Sequence, residues 1–216
     1  MGHRITSSSA LLLVLGSLAA SCAKTPQVPP VATPVAPTVP LVTAPPARCE
    51  VIGEACVAKG DTRARIAQTS LDFAPVGGWR YAQGLLVTLA QLSSEGAGVA
   101  LSAHVPDAKD ARKNAASRDA TLSVLTAQLG LAAMPTKLNW AKADMQRSAG
   151  DLKLKLWGAR GKRAGADGSV LVITAPVSAT QVLVGLAFVP DSDTSGAEQS
   201  ILTSLDSIRP AAGRLP

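Results

Sequence analysis

A proline-rich stretch near the N-terminus separates the first residues of the 216-residue chain from the rest of the sequence. Residues 25–47 (TPQVPPVATPVAPTVPLVTAPPA) hold eight of the fifteen prolines and no charged residue. Because proline fixes φ and lacks an amide hydrogen, neither a helix nor an internal strand can run through this segment. It predicts a disordered, semi-rigid spacer of about 60–70 Å when fully extended as polyproline II. The repeated P-x-x-P spacing also fits a ligand for proline-binding domains, and we favour the spacer.

The residues before the spacer form an apolar run that ends on a cysteine. Ala10–Ala20 (ALLLVLGSLAA) follow the cation Arg4, are too few to span a bilayer, and lead through small residues to Cys22. This order resembles the signal of bacterial lipoproteins, in which the cysteine becomes the lipid-carrying first residue after cleavage. The sequence departs from that family's usual pattern at Ala19, where a leucine is typical.

The resemblance implies a signal peptide over residues 1–21, a lipid on Cys22 and a linker over residues 22–47. It also implies export and anchoring to a bacterial membrane, at the periplasmic side of the outer membrane. An ordinary secretory cleavage close to Cys22 is the alternative.

The two remaining cysteines, Cys49 and Cys56, lie in a junction that we place at residues 48–67. An even pair of cysteines in an exported chain predicts a disulfide. The six-residue gap between them differs from the C-x-x-C spacing of redox enzymes and zinc sites. We therefore predict a structural bridge.

Residues 68–210 have the pattern of one folded domain, followed by a tail at residues 211–216. Runs of apolar or alternating residues predict strands at residues 71–73, 84–93, 97–105, 136–146, 151–160, 167–175 and 180–189. Only two helices are predicted among these strands, which is too few for βαβ winding. We expect an α+β fold with an antiparallel sheet of about six or seven strands and helices packed on it.

The first predicted helix begins at Asp107, as N-cap, and ends at Leu129, with Gly130 just beyond it. For the second helix, Ser195 and Glu198 have the spacing of a capping box. Apolar residues at helical spacing predict the buried faces, formed by Leu122, Leu125 and Leu129 in one helix and by Ile201, Leu202, Leu205 and Ile208 in the other.

The glycine turn before Trp79, the mid-chain helix, the long strands after it and a terminal helix ending in S-I-R-P (207–210) resemble the PsbP/Mog1-like superfamily. The resemblance covers residues 68–210 and rests on element order. It implies an α/β/α sandwich with a non-catalytic binding or assembly role. No residue matches a functional site of that superfamily, so none is carried over.

Residues that carry chemistry are scattered. Once His3 leaves with the signal peptide, His104 is the only histidine, and we interpret it as a partly exposed side chain at a strand end. A lone histidine does not make a metal site, and the sequence has no P-loop and no G-x-S-x-G motif. A formal charge of +6 is mild and too diffuse to indicate nucleic-acid binding, and aromatic residues that could stack on bases make up only 3% of the chain. We predict no cofactor, no metal and no catalytic activity.

One local concentration of charge stands out in and before the glycine-rich segment 158–168 (GARGKRAGADG). It is interpreted as a solvated hairpin tip, or alternatively as a surface that contacts anionic lipid or an acidic partner. Its members are Lys153, Lys155, Arg160, Lys162 and Arg163.

Together these patterns predict a cell-envelope lipoprotein whose non-catalytic binding or assembly domain is tethered by the proline-rich linker. Its expected partners are the membrane, through the N-terminal lipid, and an unidentified envelope protein. The alternatives are an envelope hydrolase with an unrecognised site, and a carrier of a small apolar ligand held between helix and sheet.

Overall fold

The computed structural model describes residues 49–107, 109–135 and 137–212. The predicted signal peptide, Cys22 and the linker lie outside the described residues, as do residues 213–216 of the tail. The described part contains strands β1 (Ala64–Arg65), β2 (Leu71–Phe73), β3 (Arg80–Gln83), β4 (Thr88–Gln91) and β5 (Gly98–His104), helix α1 (Ala111–Leu129), strands β6 (Met145–Ala149), β7 (Leu152–Arg163), β8 (Ala166–Ser178) and β9 (Gln181–Pro190), helix α2 (Ala197–Asp206) and strand β10 (Arg209–Pro210).

Seven of these strands form one antiparallel sheet in the order β3-β4-β5-β9-β8-β7-β6. The short strands β1, β2 and β10 form a second antiparallel sheet. The predicted α+β class and the seven-stranded antiparallel sheet are therefore confirmed. The two nearly all-apolar runs, SVLVITA (169–175) and VLVGLAFV (182–189), lie in β8 and β9, which occupy the middle of the sheet.

The two helices cover opposite faces of the seven-stranded sheet. Side chains of successive strand residues point to opposite faces, so Val172 packs with α1 and its neighbour Ile173 packs with α2. The two buried helix faces are those predicted from the sequence: Leu122, Leu125 and Leu129 in α1, and Ile201, Leu202 and Leu205 with the following Ile208 at α2. Neither helix of the described residues combines the length and the apolarity needed to cross a bilayer.

The predicted strand at 136–146 is mostly wrong, because residues 137–144 form a loop that lies against β7. The indole Nε1 of Trp157 donates to the carbonyl oxygen of Asn139 at 2.8 Å. The carboxylate of Asp144 accepts the amide hydrogen of Gly158, also at 2.8 Å. These bonds join distant positions in the sequence, so the local alternation of side chains could not show them.

Both helix starts differ from their predictions. Asp110, not Asp107, caps α1 by accepting from the amides of Arg112 and Lys113. Gly130 ends α1 in the left-handed conformation (φ 72°), as predicted.

The capping box predicted for α2 does not form. Asp193 instead accepts from the hydroxyl of Ser195 at 2.6 Å and from the amide of Ala197 at 3.0 Å. These bonds from the hydroxyl and the backbone amides hold the pKa of the Asp193 carboxyl below its ordinary value.

The predicted disulfide joins Cys49 to Cys56, with the two Cα atoms 5.6 Å apart. The folded region begins before residue 68, where the sequence placed the start of the domain. Ala64 and Ile66 are fully buried in the same core as α2, and Val57 pairs with Arg80 of β3. The residues after the disulfide are thus part of the folded unit.

Candidate functional site

The five basic residues singled out in the sequence do not form one surface. Side chains along β7 alternate between the two faces of the sheet. Lys153, Lys155 and Arg163 lie on the α1 face. Arg160 and Lys162 lie on the opposite face. Most of the glycine-rich segment 158–168 is strand, because β7 ends at Arg163 and β8 begins at Ala166.

The two residues on the opposite face already have partners. Arg160 makes a bidentate ion pair with Asp191, and these hydrogen bonds raise the pKa of Arg160 and lower that of Asp191. The Nζ of Lys162 lies 3.5 Å from a carboxylate oxygen of Asp167. Both pairs are exposed, and such pairs contribute little to stability.

Arg163 is buried, with an exposed fraction of 3%, so the prediction that it faces solvent is wrong. Its guanidinium donates to the carbonyl oxygen of Gly96 and to the side-chain oxygen of Gln91. It lies beside Gly130 at the C-terminal end of α1, where the helix dipole favours a cation. Burial lowers the pKa of Arg163. This arginine is a structural residue that joins β7 to the β4–β5 hairpin beside the end of α1.

A cleft of about 380 Å³ lies between the first half of α1 and the sheet, within the size range of small-ligand sites. We call it the α1 cleft. Its floor crosses four neighbouring strands and is formed by His104 of β5, Val182 of β9, Thr174 of β8, and Lys155 and Trp157 of β7. Its wall is formed by Pro106, by Ala111, Asn114, Ala115 and Arg118 of α1, and by Trp140 of the loop that precedes β6.

The wall is held in place by hydrogen bonds at the start of α1. The side-chain amide of Asn114 donates to the carbonyl oxygen of Asp107 and its oxygen accepts from the amide of the same residue. The segment between β5 and α1 is therefore fixed to the helix. The side chain of Asp107, expected to be the N-cap, accepts instead from the amide of Lys109 at 2.9 Å.

Two tryptophans and an arginine form one end of the cleft. The rings of Trp140 and Trp157 are tilted by 59° with their centroids 4.9 Å apart. The guanidinium of Arg118 stacks on Trp140, 3.6 Å from the ring centroid, in a cation–π contact. Arg118 also donates from Nε and Nη2 to Asp119, each at 3.0 Å. Trp157 is buried, and Arg118 remains 21% exposed.

Two cations line the α1 cleft; Arg118 is already paired with Asp119, so the unbalanced positive charge comes from Lys155. Arg118 and Lys155 line the cleft, and no carboxylate is among its lining residues in the described chain. Lys155 is exposed and forms no ion pair with any residue that the structure describes. The Nδ1 atom of His104 is buried and has no hydrogen-bond partner among the described residues. The arrangement is suited to an anion.

The described residues contain no group of three or more histidine, cysteine or acidic side chains that could hold a metal ion. His104 and Thr174 lie on strands separated by β9, and no hydrogen bond links them. The nucleophile–base contact that covalent catalysis needs is therefore not formed by this pair.

Comparisons with known proteins do not identify a family for this chain. No protein-family model and no curated protein matches the sequence. A solved structure from Bacteroides thetaiotaomicron is similar with a TM-score of 0.41 and 8% sequence identity, covering 68% of this chain and 47% of that chain. The present chain thus spans about half the length of that protein.

Sequence reasoning did not find the α1 cleft. In the sequence His104 is an isolated histidine at a strand end, and Trp140 falls within a predicted strand. The one local signal was the alternation of Lys155 and Trp157 along β7, which places both on the same face of the sheet.

Proposed function

We propose that the protein is a lipid-anchored, non-catalytic binding protein of the bacterial cell envelope, and that the α1 cleft is its ligand-binding site. The observation that carries the binding site is the cleft lining, in which two cations and two tryptophans meet and only Arg118 has a carboxylate partner, Asp119, among the described residues. Charged groups beside aromatic walls are the usual means by which a cleft fixes a small ligand. The resemblance to the PsbP/Mog1-like superfamily supports a role in binding.

The anchor is supported by the sequence around Cys22, where an apolar run too short to span a bilayer ends on a cysteine followed by prolines. Lipid on this residue would keep the domain near the membrane, and the linker would hold it away from the surface. Replacement Cys22→Ala is expected to move the protein from the membrane fraction to the soluble fraction, while Ser21→Ala serves as the matched control. An anchored Cys22→Ala protein, or a wild-type chain that begins at Lys24, would rule out the lipid.

The binding site can be tested by filling it. Ala115 of α1 lines the cleft and its neighbour Ala116 is exposed on the helix. Native mass spectrometry of protein purified from its own envelope is expected to show a bound small molecule on the wild type and on Ala116→Trp. The Ala115→Trp protein is expected at its bare mass. A ligand retained by Ala115→Trp, or bare protein in all three samples, would contradict the proposed function.

A further inference from the structure

We propose that the ligand of the α1 cleft is a small organic anion, with its charged group between Arg118 and Lys155 and a short apolar body directed towards His104. This inference rests on the proposed function and specifies the chemical class of its ligand. It replaces the purely apolar ligand that the sequence offered as an alternative.

The charged end of the cleft is defined by its contacts. Lys155 and Trp157 are two residues apart on the same face of β7, and Trp157 contacts Trp140, on which Arg118 stacks. The two cations therefore flank the tryptophan pair. Asp119 occupies Nε and Nη2 of Arg118, which leaves Nη1 without a partner among the described residues. An incoming anion can accept hydrogen bonds from this amino group and from the Lys155 ammonium.

The opposite end of the cleft offers no further charge. Pro106, Ala111, Ala115 and Val182 give it an apolar lining, with His104 as the polar group at its limit. His104 and Lys155 are three strand spacings apart across β5, β9, β8 and β7, about 14 Å between strand backbones, and the register offsets them by two residues along the strands. The cleft volume of about 380 Å³ fits an anionic head followed by a chain or ring of a few carbon atoms.

The tryptophan pair explains why an anion would bind here more tightly than at an ordinary surface lysine. Trp157 is 97% buried and excludes water from one side of the charged end. Lower local polarity strengthens the attraction between opposite charges. Lys153, two residues before Lys155 on the same face, is exposed and donates to Ser148 at 3.1 Å outside the cleft lining. It is therefore the matched control for Lys155.

Isothermal titration with four probes separates the charge from the apolar body. Hexanoate carries both features, hexyl phosphate changes the anionic head, 1-hexanol lacks the charge, and inorganic phosphate lacks the body. We expect hexanoate or hexyl phosphate to bind about tenfold more tightly than 1-hexanol, because charge-assisted hydrogen bonds contribute on that scale. We expect the same probe to bind about tenfold more tightly than inorganic phosphate, because its apolar body is buried in the cleft. Whichever of the two charged probes binds more tightly identifies the head group as carboxylate or phosphate.

Lys155→Gln is expected to weaken binding of the charged probe by roughly tenfold, and Lys153→Gln is expected to leave it unchanged. Both side chains are exposed, so both variants should keep the melting temperature of the wild type. Equal binding of hexanoate and 1-hexanol, with both lost in Ala115→Trp, would overturn the anion assignment and leave the cleft as the binding site. No binding of any probe would also overturn the inference, and bare protein in the mass spectrum would then show that the proposed function fails as well. An equal loss in both lysine variants would place the anion outside the cleft.

Discussion

At the scale of single residues, the structure separates groups that look alike in the sequence. Arg160 and Arg163 are three positions apart in one basic segment, yet one is exposed and the other is buried. The difference arises because an odd separation along a strand places two side chains on opposite faces. The turn after Arg163 contains only Ala164 and Gly165, both with positive φ, so the strand extends further than the glycine-rich sequence suggested.

Replacement Arg163→Ala should lower the free energy of unfolding by about 2–3 kcal/mol, because the carbonyl oxygen of Gly96 and the side chain of Gln91 would lose a buried donor. Urea denaturation measures this value. The matched variant Arg160→Ala loses only an exposed ion pair and should unfold at the same urea concentration as the wild type. Equal destabilisation by the two substitutions would show that Arg163 is not the structural residue described above.

Asp193→Ala should cost about 1 kcal/mol at neutral pH, because the start of α2 loses its capping acceptor. The folded-state pKa of Asp193 lies below its ordinary value of 3.8, so its stabilising contribution is present above that pH. The contribution is lost as pH falls through the folded-state pKa. The difference between wild type and variant in urea denaturation should therefore shrink from pH 6 towards about pH 3. A difference that stays constant over this range would contradict the charged cap, and the exposed Asp61→Ala serves as the control.

At the scale of elements, the parts that sequence reasoning predicted well are those whose pattern is local. The central parts of β8 and β9 are nearly all apolar and α1 has its leucines at helical spacing, so burial follows from neighbouring residues alone. The loop at 137–144 and strand β3 could not be predicted in this way. The loop depends on hydrogen bonds to Trp157 and Gly158, and β3 depends on pairing with β4.

The pairing of β8 with β9 depends on close approach at Gly168. A Cβ atom at this position would lie 2.4 Å from the carbonyl oxygen of Val189 and 2.6 Å from the ring of Phe188. Gly168→Ala should therefore lower the free energy of unfolding by about 1–3 kcal/mol, since backbone in the neighbouring strand would have to move. Gly60→Ala is the control because no atom lies within 4 Å of its Cβ position. Thermal denaturation that shows the two variants equally stable would refute this packing.

At the scale of the whole molecule, the α1 cleft is a product of strand order. Its floor takes residues from β5, β9, β8 and β7, which are adjacent in the sheet and far apart in the sequence. The sequence could predict that these strands exist and that a helix packs on them. It could not predict their order, and therefore could not bring His104, Thr174 and Lys155 together. The fold class was accessible from local patterns, whereas the site required the strand order and register of the whole sheet.

The central claim, that the α1 cleft binds a small organic anion, can be tested most directly through the three tryptophans of the chain. Trp140 and Trp157 line the cleft, whereas Trp79 is buried in the core on the other face of the sheet. Each indole N–H gives one signal in a nitrogen–proton NMR spectrum. Titration with hexanoate or hexyl phosphate is predicted to shift the signals of Trp140 and Trp157 and to leave that of Trp79 in place. Signals that all stay unchanged, or a shift confined to Trp79, would contradict the claim.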